Sequence, residues 1–139
     1  MILRSDIMFL PSSIVFVLAF IFYIGAITIH LFIIKKTIPF NYVNGGRSDS
    51  YEHQLKQSKM SILILAIGLL YVILGLLVPT LRKTIVFMVI SFMLTFLWFV
   101  GTVMQLIGTK FERYYVSWLN LFGTVAHLEL ALTYFSQDE

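Results

Sequence analysis

The chain has 139 residues, 59% of them hydrophobic and only 12% charged, with a formal net charge of +3. Soluble domains carry about a quarter charged residues, so this balance excludes an ordinary soluble domain and points to an integral membrane protein with room for one compact unit. The Lys and Arg residues stand at segment ends rather than in a cluster, which excludes a nucleic-acid groove, and the absence of Cys excludes disulfides, thiolate metal sites and thiol catalysis.

The opening residues, MILRSDIMFLPSS, lack the basic start and small-residue cleavage site of a secretory signal, so the first apolar run reads as a retained span. That span covers about 12–34, with Pro11 ahead of it and Ser12 and Ser13 able to cap free backbone donors. Lys35 and Lys36 end it. From Thr37 to Lys59 runs the one sizeable polar stretch, which contains the turn signal Asn44-Gly45-Gly46. Asp49 and Glu52 have capping-box spacing and Glu52 and Lys56 form an i,i+4 pair, so a helix is expected to start there and run into a second span at about 60–79. A tight connection, Thr80 to Lys83, leads to a third span at about 84–107. A second connection, Gly108 to Arg113, leads to a fourth at about 114–136. The expected fold is all-α: a single bundle of four transmembrane helices in a multi-pass protein of the plasma membrane.

Lys35, Lys36, Arg47, Lys56, Lys59, Lys110 and Arg113 fall on the side of the first and third loops, against Arg4, Arg82 and Lys83 on the other. By the positive-inside rule both termini lie outside and the loop 35–59 is cytoplasmic. Tyr114, Tyr115, Trp118, Tyr134 and Phe135 fit aromatic belts at the two ends of the fourth span. Gly68 and Gly75, like Gly101 and Gly108, stand seven residues apart and are candidates for close helix approach.

The fourth span carries Asn120, His127 and Glu129. Glu129 is the only carboxylate in an apolar segment, and an ionised acid at that depth costs a few kcal/mol or more unless it is paired, hydrated or protonated. Ser91, Thr95, Trp98, Thr102 and Gln105 recur at helical spacing on the third span, and Ser117, Asn120, Thr124 and His127 on the fourth, so two polar stripes are expected to face each other. At about 1.5 Å per residue, His30 lies roughly 10 Å toward the cytoplasmic side, with Asn120 and Gln105 in the same half; His127 is near the midplane and Glu129 roughly 6 Å toward the outside. His30 and His127 are too far apart in depth for a bis-histidine haem, and no cofactor is expected. His127 and Glu129, about 200° apart around one helix, cannot form a dyad. Glu129 is expected either to hydrogen-bond Ser or Thr of a neighbouring span or to meet another chain.

No Ser, His and Asp set shares a depth, no carboxylate pair is present, and no metal-binding or phosphate-loop spacing occurs, so the chain does not read as an enzyme. The essential Glu that small multidrug carriers place in the first span has no counterpart here. Asn41, Gly45, Arg47 and Ser48 match N-x-x-x-G-x-R-[ST], and this eight-residue stretch resembles the loop after the first span in proteins related to the immunity factor of the sporulation-delaying toxin. The resemblance implies an immunity role and marks those four residues as candidate loop contacts. The sequence thus favours a non-enzymatic accessory, immunity or assembly subunit that binds another membrane protein or peptide, or itself, within the lipid. Behind it stand a homo-oligomeric proton-coupled small carrier or channel using Glu129 and His127 with a path along Thr102, Gln105 and Asn120, and then a lipid-modifying enzyme.

Overall fold

The first long apolar run forms helix α1, Ser12–Ile34, in a computed structural model that describes residues 9–136. Pro11 precedes it with φ −58°, and its carbonyl accepts the N–H groups of Ile14 and Val15 at 3.0 and 3.1 Å. Ser12 and Ser13 therefore lie inside the first turn, and no side chain caps the helix, contrary to the sequence expectation. At the other end Lys36 adopts a left-handed φ of 62°, while its N–H bonds Ile33 and that of Thr37 bonds Phe32, a Schellman closure with lysine where glycine is usual.

The polar stretch turns through two short 3-10 segments, Phe40–Tyr42 and Asn44–Gly46. Helix α2, Tyr51–Leu77, then starts well before the apolar run, as the sequence led us to expect. Its cap differs: Ser50 Oγ accepts the His53 N–H at 3.2 Å, one residue beyond the expected Asp49 and Glu52 box. The Tyr51 hydroxyl donates to the Ile34 carbonyl at 2.5 Å and the Lys36 ammonium sits 4.5 Å above the Tyr51 ring, fastening the start of α2 to the end of α1. A 3-10 turn, Pro79–Lys83, leads into α3, Ile85–Leu106, which Thr84 caps through the Phe87 N–H. After a π-turn over Glu112–Val116 comes α4, Ser117–Leu132, closed by a 3-10 turn at Thr133–Phe135.

The fold is all-helical, with no strand among the described residues. Three helices, α1, α2 and α3, are long and apolar enough to cross a membrane. The 16 residues of α4 rise only about 24 Å, less than a hydrocarbon core of about 30 Å, and its reach is extended by the turns at both ends. Arg4 and the acidic tail 137–139 lie outside the described residues.

Packing runs in the order α2, α1, α4, α3. Phe22 and Tyr23 of α1 fill the centre, and two glycines make room for them: a Cβ on Gly68 would stand 2.5 Å from the Tyr23 ring, and one on Gly123 2.7 Å from Phe22. Helices α2 and α3, although consecutive, pack together only beside the turn that joins them. There Tyr71 stacks on Phe87 with ring centroids 4.7 Å apart, and its hydroxyl reaches the Phe87 carbonyl and Ser91 Oγ at 2.8 and 2.6 Å. Gly75 faces the same Phe87. Farther from the turn α2 and α3 face a shared cavity.

Candidate functional site

The cavity measures about 500 Å³ and is bounded by all four helices and the loop 43–47. Its walls toward the seam are apolar: Ile64 and Leu65 from α2, with Leu97, Val100 and Met104 from α3. Its floor and loop end are polar, bringing together His30, Gln54, Gln57, Gln105 and Asn120 with Arg47 and Glu112. Five site candidates singled out from sequence, His30, Gly45, Arg47, Gln105 and Asn120, thus converge on one space.

The loop end is rigid for a reason that begins in the α3–α4 connection. Thr109-Lys110-Phe111-Glu112 is a capping box: the Glu112 N–H bonds Thr109 Oγ1 at 3.2 Å and the Thr109 N–H bonds Glu112 Oε2 at 2.8 Å. The same carboxylate accepts the Gly45 N–H on both oxygens at 3.1 Å, and Thr109 Oγ1 donates to the Tyr42 carbonyl. Gly45, at φ 62°, needs the left-handed freedom that only glycine has cheaply. Glu112 is 5% exposed, so these N–H donors replace the water it has lost. A cap for one helix therefore doubles as a latch for a loop that is distant in sequence.

Behind the latch, a chain of amides and hydroxyls ties the loop to α2. Asn44 Nδ2 donates to Gln57 at 2.8 Å, Ser48 Oγ donates to Gln54 at 2.6 Å, and Gln54 Nε2 donates to Ser58 at 3.1 Å. Ser58 meets His30 Nδ1 at 3.1 Å. Arg47 is exposed, and among the described residues its side chain bonds the Asn44 carbonyl, through Nε. Of the four loop candidates, Gly45 and Arg47 line the cavity, Ser48 is buried as an anchor, and Asn41 stays exposed outside it.

Deeper in, Asn120 is 6% exposed, lies against Gly101, and its side chain has no hydrogen-bond partner among the described residues. Gln105 Oε1 is likewise buried with no partner there. Two primary amides at the cavity surface without protein partners are costly unless something in the cavity meets them.

The expected pairing of polar stripes between α3 and α4 does not occur through hydrogen bonds. Thr95 donates to Ser91 O, Thr102 to Trp98 O, Thr124 to Asn120 O and Ser117 to Arg113 O, each within its own helix. Each hydroxyl finds the carbonyl one turn back closer than any group across the interface. Of these hydroxyls Ser91 bonds outward, to Tyr71 of α2, and His127 of the α4 stripe bonds outward to Tyr23 of α1.

His127 and Glu129 lie outside the cavity. His127 is fully buried: its Nδ1 meets the Gly123 carbonyl at 2.6 Å, which fixes a proton there because a carbonyl only accepts. Nε2 is then the acceptor for the Tyr23 hydroxyl at 2.7 Å. Tyr23→Phe should leave that nitrogen buried without a donor and cost about 1–3 kcal/mol, read as a lower melting temperature in mild detergent. A melting temperature equal to the wild type would contradict this pairing. Glu129, 1% exposed, accepts the Phe9 N–H on its two oxygens at 3.0 and 3.2 Å. Among the described residues its partner is thus backbone that precedes α1, rather than the Ser or Thr of a neighbouring span expected from sequence.

An all-helical bundle of this kind, with three helices fit to cross a membrane and a polar-floored opening between two of them, defines a class by shape alone. No family model, curated protein or solved structure matches the chain. The sequence reading missed Glu112, Thr109, Tyr23, Gln54 and Gln57. Only the first two carried a signal, the T-x-x-E spacing ahead of an apolar run; the others take their roles from tertiary contacts.

Proposed function

We propose that the protein is a small non-enzymatic membrane protein, of accessory, immunity or assembly type, that binds an apolar segment of another membrane protein or a peptide along the seam between α2 and α3. The observation that carries this reading is the seam itself. Two consecutive helices that pack only beside their turn leave an unfilled flank in a bundle whose other neighbours are closed, and a further helix can complete it. The latched loop holds Arg47 at the open end, where it can meet the polar end of such a segment. In this reading α4 with its flanking turns is the fourth span, both termini lie outside, and the loop faces the cytoplasm of a plasma-membrane protein. The proton-coupled carrier draws less support, because the cavity holds neither His127 nor Glu129.

The test is photocrosslinking in the native membrane from an unnatural benzophenone residue at Leu97 or Met104, with Val86, lipid-facing beside the turn, as control. A discrete protein or peptide adduct from the two seam positions, absent from Val86 and lost on Arg47→Ala, is the expected result. Adducts that are the same from all three positions would overturn the reading.

A further inference from the structure

The cavity behind the seam has chemistry of its own. Asn120 and Gln105 present amides with no protein partner; the buried unpaired atom of Gln105 is the acceptor Oε1, and a turn of either amide exchanges its oxygen for the NH2 group. His30 spends Nδ1 on Ser58 and has no partner on Nε2 among the described residues. At the mouth, Arg47 uses only Nε, and no ion pair among the described residues neutralises it. Glu112, the carboxylate that lines the same space, is engaged by the N–H groups of Gly45 and Thr109. The polar end of the cavity therefore offers unpaired donors on Arg47, on His30 and on the two amides, while the Glu112 carboxylate is engaged by backbone N–H groups, which favours a ligand head with acceptor oxygens that can pair with Arg47. The remaining walls are largely apolar, Trp98 standing among aliphatic side chains, and the volume falls in the range of about 300–1,000 Å³ typical of small-molecule sites.

We infer that the cavity holds one acyl-chain amphiphile, its carboxylate or phosphate head set among Arg47, His30, Asn120 and Gln105 and its chain lying between α2 and α3. Such a molecule supplies the missing acceptors, pairs the Arg47 charge and fills space that would otherwise be void beneath the seam. The inference goes beyond the partner reading and competes with it in part, since both occupants would call on Arg47 and lie against the seam; a lipid-sized occupant is told from a protein segment by the size of the seam adduct and by Trp98 quenching.

Trp98 lines the cavity and the only other tryptophan, Trp118, is 60% exposed on α4, so a Trp118→Phe variant reports on the cavity through one fluorophore. Titrating this variant in detergent with 9,10-dibromostearate should give saturable quenching of Trp98, and with the methyl ester of the same acid quenching about tenfold weaker. Adding Arg47→Gln, an exposed position whose change leaves the bundle intact, should weaken binding of the acid about tenfold and leave the ester unchanged. Asn120→Ala should weaken both. Displacement by oleoyl lysophosphatidate ahead of oleate assigns a phosphate head, and the reverse order a carboxylate. Quenching that is linear and equal for acid and ester, and insensitive to Arg47→Gln, would be partition into the micelle and overturns the inference. Seam crosslinking and Trp98 quenching are separate readouts, so failure of either is recognised apart from the other.

Discussion

Gly68→Ala is expected to lower stability by about 2–3 kcal/mol, a large effect for one methyl group. The added Cβ would stand 2.5 Å from both Cε1 and the hydroxyl oxygen of Tyr23. Tyr23 cannot yield easily: it is fully buried, with the Phe22, His127 and Trp98 rings at centroid distances of 4.8, 5.5 and 6.4 Å. Overpacking a close-packed core by one methyl costs about 1–3 kcal/mol, and here the shift of Tyr23 also pulls its hydroxyl off His127, adding a lost buried hydrogen bond. Thermal denaturation in mild detergent reads the loss. The double variant Gly68→Ala with Tyr23→Leu should recover part of it, because the smaller side chain clears the methyl. A single variant as stable as the wild type would show that α1 and α2 do not approach this closely.

Glu112→Ala is expected to release the loop while leaving the bundle standing. The carboxylate holds the N–H groups of Gly45 and Thr109, and hydrogen bonds to a charged acceptor contribute about 1.5–3 kcal/mol each. Even about 2 kcal/mol of lost anchoring raises the open population of the loop roughly thirtyfold. Trypsin cleavage after Arg47, measured on the purified protein, should accelerate by about that factor, with a smaller change for Glu112→Gln, which keeps an acceptor oxygen. Helix α4 should also lose part of its cap, seen as faster hydrogen exchange at 109–113. Unchanged cleavage at Arg47 would mean that the loop is held by the Gln54 and Gln57 contacts alone.

What the sequence made readable was length and class. Helix α1 has the boundaries expected for it, Ser12–Ile34, because an apolar run of spanning length bounded by Pro11 and two lysines leaves little choice. The early start of α2 was also legible, since Glu52, Lys56 and the absence of a breaker all favour helix, although Ser50 rather than Asp49 took the cap because both residues are competent and geometry decides between them. The polar stripes of α3 and α4 were real as a pattern and misleading as contacts. Periodicity tells which face a hydroxyl occupies, and says nothing about whether it bonds across the interface or back to its own helix.

The candidate site was visible only in part. His30, Gln105 and Asn120 were singled out as polar residues in apolar segments and Arg47 as part of a loop motif, and all four line the cavity. What joins them is the divergence of α2 from α3 away from the Tyr71 and Phe87 contact, which follows from aromatic packing at one end of the pair and has no signature in either helix alone. Glu129 drew attention as the lone acid of a span, yet it ends on the Phe9 N–H, and no sequence rule anticipates that the chain before α1 would fold onto α4. Glu112 was overlooked because it fell in a presumed connection, where an acid looks ordinary until its burial is known.

The open seam underlies both the partner and the ligand readings, and the absence of native cysteine lets it be measured cleanly. Spin labels on Leu63→Cys and Phe99→Cys would report the gap between α2 and α3 in the loop half, and labels on Leu77→Cys and Val86→Cys the gap beside the turn; all four side chains face outward. Double electron–electron resonance in nanodiscs should give a clearly longer distance for the first pair than for the second. Equal distances, with α2 and α3 packed side by side along their length, would contradict an open seam and remove the cavity with it.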